Sequence, residues 1–428
     1  MYSAYSLLLT LVLLAWSPSL LLGALGIGRR RDGWRERLGR YPEPLVARLQ
    51  GVHPVWLHAV SVGEVAAASV LAALWTTRRP TLSLLVSTVT DTGREVAKRS
   101  FPKAAGVVYF PLDLPMIVHE ALAAVSPRLI LLTETEIWPN FLRACAASKI
   151  PVVMINGRIS PRSFQRYRLV QPFFRHVLQG IDLFCMQSAA DAERILALGA
   201  SPERVRVVGN LKFDVTPPAD ASSRAEQWRR ELKIESGQPV VVAGSTHAGE
   251  EEALLRAFMR LRQEFPSLLL ILAPRHPDRL AGVEALIAGN GLTAVRRSQL
   301  AGTRDGATQI VLLDTIGELS ALYAVGSVAF VGGSLIPRGG HNLLEPALHG
   351  CPVVFGPHME NFAEASAFFV ERGAALQVKN TERLAEELAG LLRDPAARDR
   401  MGKAALEALV AHRGACERTV ALLEQYVS

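Results

Sequence analysis

The 428-residue chain has only four cysteines, Cys145, Cys185, Cys351 and Cys416, far apart and without a C-x-x-C pair. That spacing points away from a disulfide frame or a cysteine metal site and suits a reducing compartment. No two aspartates stand two apart, so a D-x-D clamp for a metal and a diphosphate is absent. No G-x-G-x-x-G opens the first half, which weighs against a dinucleotide oxidoreductase, and no G-x-S-x-G marks a nucleophile-elbow hydrolase. There is no short tandem repeat, no low-complexity tract and no aromatic-basic nucleic-acid module. Charge is missing altogether from residues 1–28.

What fills that uncharged stretch is apolar. Tyr5 to Leu25 is almost continuously hydrophobic and, as a helix, long enough for a hydrocarbon layer of ~30 Å, although Pro18 interrupts it. A cleaved leader would start with basic residues, whereas here the charges follow. Arg29, Arg30, Arg31, Arg35, Arg37 and Arg40, less Asp32 and Glu36, give residues 29–40 a charge of +4, over half of the chain's formal +7. The expectation is a membrane anchor over 1–28 and a basic juxtamembrane segment over 29–45, with the body in the cytoplasm and the arginines against anionic headgroups. An amphipathic helix lying on the bilayer is the alternative. Either accounts for a pI near 9.4 without nucleic acid.

The rest of the chain alternates short aliphatic runs with helix-compatible stretches. Strands are expected at Val55 to Val60, Leu82 to Ser87, Val107 to Phe110, Leu129 to Thr133, Val152 to Asn156, Leu183 to Gln187 and Val205 to Gly209. After a linker at 216–222 come Val240 to Ala243, Leu268 to Ala273, Ile310 to Leu313, Val328 to Val331 and Val353 to Phe355. Unbroken apolar strands are buried on both faces, which implies parallel α/β sheets. The fold expected is therefore α/β: two doubly wound domains, 46–215 and 223–400, meeting at a cleft, with a final helical segment, 401–428, able to pack back on the first.

Ligands of such sheets bind beyond the carboxyl ends of the strands, and the chemistry-bearing residues cluster there. Ser61-Val62-Gly63-Glu64 follows the first strand and can present Glu64 as a general base, or merely as a helix-start carboxylate. Glu134-Thr135-Glu136 follows a later strand; two acids beside Trp138 can tune each other or grip a polar substrate. Lys212 stands near the linker. In the second half, Arg275-His276 can fork onto a phosphate, and Ile316-Gly317-Glu318 opens a further helix. Gly332-Gly333-Ser334 and Gly339-Gly340-His341-Asn342-Leu343-Leu344-Glu345 follow a buried strand. There the glycines, Ser334 included in the run, would let amides approach a phosphate while Glu345 takes a ribose.

Five of these segments, Ser61 to Glu64, Glu134 to Pro139, Gly209 to Asp214, Ala273 to Pro277 and Gly339 to Pro346, resemble in sequence and order the signature segments of bacterial 3-deoxy-D-manno-octulosonic acid (Kdo) transferases. The resemblance implies a GT-B glycosyltransferase of two Rossmann-like domains that moves Kdo from CMP-Kdo to the lipid A precursor at the cytoplasmic face of the inner membrane. It puts Glu64 on the general base and Glu134 and Lys212 on positions stabilising the transition state. Arg275, His276, Ile316, Gly317, Glu318, Asn342, Leu343, Leu344 and Glu345 fall on CMP-binding segments. Glu136, Gly339, Gly340 and Ser334 are further candidates. No metal or cofactor beyond the donor is expected, because arginine, lysine and helix N-termini can meet one leaving phosphate. Two rivals remain: another GT-B enzyme using a UDP-sugar, whether transferase or epimerase, and a non-catalytic membrane-bound nucleotide-binding protein.

Overall fold

The computed structural model describes residues 1–15, 33–214, 221–300, 304–305 and 308–427. It divides into two compact units, Met1–Asp214 with His412–Ser428, and Val215–Ala411.

In the first unit seven parallel strands are β1 (Val55–His58), β2 (Leu84–Thr88), β3 (Gly106–Tyr109), β4 (Leu129–Thr133), β5 (Val152–Gly157), β6 (Leu183–Met186) and β7 (Val205–Val207). Their order, β3-β2-β1-β4-β5-β6-β7, reverses direction between β1 and β4. The crevice at such a reversal lies beyond the carboxyl ends of the two strands. Alternation within the apolar runs explains the double burial. Trp56, Ile130, Leu132 and Met154 pack with Phe141 on one face. Val55, Leu57, Leu131 and Val153 pack on the other with Leu71 and Trp75.

The chain returns to that second face at its end. Val420 and Leu423, on the helix Ala415–Leu423, join the cluster of Leu71 and Trp75, and the Trp75 indole donates to Glu424 at 2.9 Å. Asp214 holds the start of this helix, accepting the amides of Gly414, at 2.6 Å, and Cys416. The returning piece is shorter than the 401–428 expected. The helix Pro395–His412 runs on through residue 411 inside the second unit, where Ala405 and Leu409 stay buried.

The second unit repeats the plan with β8 (Val240–Thr246), β9 (Leu269–Pro274), β10 (Ala294–Arg296), β11 (Ile310–Leu312), β12 (Val328–Val331), β13 (Val353–Phe355) and β14 (Ala375–Gln377). The order is β10-β11-β9-β8-β12-β13-β14, all parallel, so the reversal falls between β8 and β12. Residues 216–220 of the expected linker, 216–222, lie outside the described residues; a helix starts at Ala221.

Of the expected anchor over residues 1–28, only residues 1–15 are described. The helix Tyr2–Ala15 has 14 residues, about 21 Å at 1.5 Å per residue, and no helix among the described residues is long and apolar enough to cross a membrane. Residues 16–32, including Arg29 to Arg31, lie outside the described residues. The helix lies on the first unit: Tyr5 donates to Asp113 at 2.9 Å, Asn140 donates to Ser6 at 3.0 Å, and the Tyr2 ring meets Phe173 edge-on. Its other side is apolar and exposed at Leu7, Leu8, Leu11 and Leu14. Arg37, expected to face lipid, instead donates to the Val89 carbonyl at 2.6 Å and covers the Tyr109 ring at 4.2 Å.

Candidate active site

Where β1 ends, Ser61 caps the helix Val62–Arg78 and Glu64 stands three residues into it, forming a capping box. The cap is only part of its setting. One oxygen of the Glu64 carboxylate accepts from the Ser61 amide at 3.2 Å and the Ser61 hydroxyl at 2.8 Å; the other accepts from the Val60 amide at 2.9 Å and the Thr133 hydroxyl at 2.7 Å. The side chain is buried, with the residue 8% exposed. Burial and then the charge of Glu134 push its pKa above the ordinary glutamate value, against the pull of these donors. Thr133 also points its hydroxyl at the His58 carbonyl, 2.9 Å away. One hydroxyl proton cannot serve two acceptors fully, so a protonated Glu64 can donate to Thr133 while Thr133 donates to His58.

Thr133 is the last residue of β4, across the β1/β4 reversal, and the next residue turns sharply. Glu134 has φ 51°, in the left-handed region, as does Asn156 at the end of β5. Glu134 pairs with Lys212 at 3.1 Å, both half-buried. Lys212 is positioned by a buried amide network. Gln187 donates to the Asn156 carbonyl, Asn210 donates to Gln187, and Asn156 accepts the Leu211 amide, fixing the turn Leu211–Asp214. The Lys212 ammonium lies 3.9 Å from where a Cβ on Gly63 would stand, so it faces the start of the Glu64 helix. The structure thus brings Glu64, Glu134 and Lys212 together at one strand edge.

Glu136 stands beside them. It accepts from the Trp138 indole at 2.9 Å and lies 3.7 Å from Nε2 of His58, a fully buried ring stacked on Phe110. That nitrogen has no hydrogen-bond partner among the described residues. Glu136 also walls an apolar groove of about 750 Å³, lined by Tyr5, Leu8, Trp138, Phe173 and Phe174.

In the second unit the glycine run has a different task from the one expected. Glu250, fully buried at the start of the helix Glu250–Glu264, accepts the amides of Gly333 at 2.7 Å, Ser334 at 3.0 Å, Leu335 at 2.9 Å and His247 at 3.0 Å. Those amides are directed at a carboxylate of the fold and not at a ligand. Ser334 is equally structural: its buried hydroxyl donates to the Val331 carbonyl and accepts from Gly356. Gly332 is glycine because a Cβ would stand 2.4 Å from the Ser245 carbonyl oxygen. Gly339 and Gly340 both have positive φ and pack against Asn361 and Met359.

Beyond the run, Asn342 accepts the Leu344 amide at 3.1 Å and donates to Glu345 at 3.1 Å. Burial raises the Glu345 pKa, while Asn342 and the nearby Arg275 charge lower it. Leu343 and Leu344 are buried, so their side chains belong to the core. Arg275 and His276 are exposed at the end of β9. Ile316 is 80% exposed and Gly317 has φ 91°, while Glu318 is held by Thr315 and by Arg297 at 3.5 Å. His247 and His341, the latter within the glycine run, meet here with their Nε2 atoms 2.8 Å apart, although no role was expected of either. Only the position of His247 after a strand could have signalled it.

Two seven-stranded doubly wound units are the architecture of GT-B glycosyltransferases. A structure of UDP-GlcNAc 2-epimerase from Neisseria meningitidis bound to UDP-GlcNAc covers 87% of this chain and 100% of its own at a TM-score of 0.57, and its 14% identity makes that a likeness of fold alone. Sequence is more specific. A family model described as 3-deoxy-D-manno-octulosonic-acid transferase (kdotransferase) matches residues 32–215. The 3-deoxy-D-manno-octulosonic acid transferase of Haemophilus influenzae is 35% identical over 423 residues, 98% of each chain, and that of Bordetella pertussis is 34% identical over 435 residues, again 98% of each. The chain belongs to the Kdo transferase family.

Proposed function

We propose that the protein transfers Kdo from CMP-Kdo to a lipid A precursor with inversion at the anomeric carbon, and that Glu64 is the general base. The observation that carries this reading is the buried Glu64 carboxylate at the β1/β4 reversal, its pKa raised, beside the Glu134–Lys212 pair. In the reaction Glu64 takes the proton of an acceptor hydroxyl as that oxygen attacks, and CMP leaves from the opposite face. Lys212 offsets charge on the acceptor side, while Arg275 meets the leaving phosphate and Glu345 the ribose.

An acylated acceptor fits the first unit's surface. The apolar groove opens beside Glu136, and the exposed leucines of Tyr2–Ala15 adjoin it. From Ile137 to Ile181 the chain carries seven Lys and Arg and no Asp or Glu, a complement to anionic headgroups. The body then works on the cytoplasmic face of the inner membrane, its first helix lying in the interface.

The test is incubation with CMP-Kdo and tetra-acylated lipid A precursor, followed by mass spectrometry. A product heavier by one or more Kdo units is expected, and unchanged acceptor with the purified, folded protein would refute the reading.

A further inference from the structure

His247 follows β8 and His341 follows β12, the two strands that flank the reversal of the second sheet. Their rings lie nearly coplanar and edge to edge, with 5.1 Å between centroids and 6° between planes, and the Nε2 atoms face each other 2.8 Å apart. His276, beyond β9, meets His247 edge-on at 5.4 Å. Two imidazole nitrogens at that distance need a hydrogen between them: one ring carries it on Nε2 and the other offers its lone pair, so the rings hold opposite tautomers. The spacing is shorter than the roughly 3.3 Å between two nitrogen ligands of a tetrahedral zinc, so it marks a shared proton and not half of a metal site.

The surroundings are cationic. His341 faces Arg275 and His276, and His247 faces His276, Arg338 and Arg279. The carboxylates within reach are already engaged. Glu251 is forked by Arg279 at 2.8 and 3.2 Å and accepts from Thr246, while Glu250 accepts four amides. Burial first, and then neighbouring charge, from Arg275 on His341 and Arg338 on His247, push the His341 pKa down to about 4 and lower that of His247. A pair kept neutral by burial and positive neighbours becomes charged when an anion arrives to balance it.

We propose that His247 and His341 are a proton-sharing imidazole pair that binds the phosphate of the nucleotide donor and takes up a proton from solvent as it does so. This rests on the nucleotide reading of the second unit. Transfer breaks the bond between the anomeric carbon and the phosphate oxygen, and the electron pair stays on that oxygen. The phosphate thus passes from a diester with one negative charge to a monoester with two. The proton held by the pair offsets the added charge beside Arg275.

Calorimetry of CMP binding at pH 7.5, in buffers of different ionisation enthalpy, tests this. CMP is by then almost wholly a dianion, its second phosphate pKa being near 6, so uptake belongs to the protein. The observed heat is expected to vary linearly with buffer ionisation heat, with about half to one proton taken up per CMP. The double variant His247→Asn/His341→Asn should bind about tenfold more weakly and without buffer dependence. Buffer-independent binding by the unaltered protein overturns the proposal and leaves the donor reading standing, as does uptake that survives in the double variant. A folded protein that binds no CMP overturns both.

Discussion

Replacing Glu64 with glutamine separates its two possible tasks, helix cap and base. The amide oxygen can keep one of the two donor pairs that the carboxylate now holds, and the NH2 must face the other. Toward Thr133 the hydroxyl can rotate to accept, but the Val60 amide is orphaned; toward Ser61 the Ser61 amide is orphaned. One unsatisfied buried amide costs about 1–3 kcal/mol. Against that, the variant removes a buried charge lying near Glu134. Because the folded pKa of Glu64 is raised, the group adds stability at pH below its unfolded value and loses that advantage as pH rises through the folded value. Glu64→Gln should therefore compare worst with the parent in acid and improve toward neutrality. Loss of a general base costs about 10²–10⁴-fold, or roughly 3–5.5 kcal/mol of barrier. The assay is single-turnover transfer from CMP-Kdo with CMP affinity measured in parallel. Ser61→Ala is the control: it breaks the capping box at about 1 kcal/mol yet keeps the carboxylate, and its rate should stay within about tenfold of the parent. A Glu64→Gln enzyme that turns over within about tenfold of the parent at unchanged CMP affinity would refute the assignment and leave Glu64 as a cap.

Lys212→Met should slow transfer at least about tenfold and move the acidic limb of the rate profile to higher pH, since Glu134 then repels the Glu64 carboxylate without its cation; an unshifted limb would contradict the electrostatic coupling. Glu250→Ala should cost about 3–5 kcal/mol of stability in urea titration by orphaning four amides, and a loss below about 1 kcal/mol would show that they find other partners. Leu8→Glu with Leu11→Glu should lower activity on membrane-embedded acceptor by about tenfold or more while sparing detergent-dispersed acceptor; equal loss in both would remove the interfacial role of the first helix.

The sheets were legible in the chain because parallel strands are buried on both faces and read as unbroken apolar runs, such as Leu129 to Thr133. The two strands not anticipated, Ala294–Arg296 and Ala375–Gln377, are three-residue edge strands and partly exposed, so they carry little apolar signal. Glu64 could be located from the strand-to-helix turn alone. Its setting could not, because Thr133 is 69 residues away and reaches it only across the β1/β4 reversal. The task of the Gly333 to Leu335 amides was hidden for the same reason. Local pattern shows that a backbone must come close to something, and only the fold shows that the partner is Glu250, 83 residues upstream of Gly333. The N-terminal stretch has the composition of a spanning helix, yet its described part uses Tyr2, Tyr5 and Ser6 to lie on the first unit.

Glu64 and Glu250 occupy matching places: each stands at the start of the helix that follows a strand flanking its sheet's reversal, and each accepts four hydrogen bonds. The donors distinguish them. All four on Glu250 are backbone amides, which can only donate, so protonating that carboxylate would set its own hydrogen against an N–H. Two of the four on Glu64 are the hydroxyls of Ser61 and Thr133, one on each oxygen, and a hydroxyl can turn and accept. Glu64 can therefore gain and lose a proton without leaving a buried donor facing a donor, whereas a proton on Glu250, whose pKa burial also raises, would break into its ring of four amides. The same position in two repeats of one plan thus yields a structural carboxylate in the second unit and, in the first, one fitted to carry a proton.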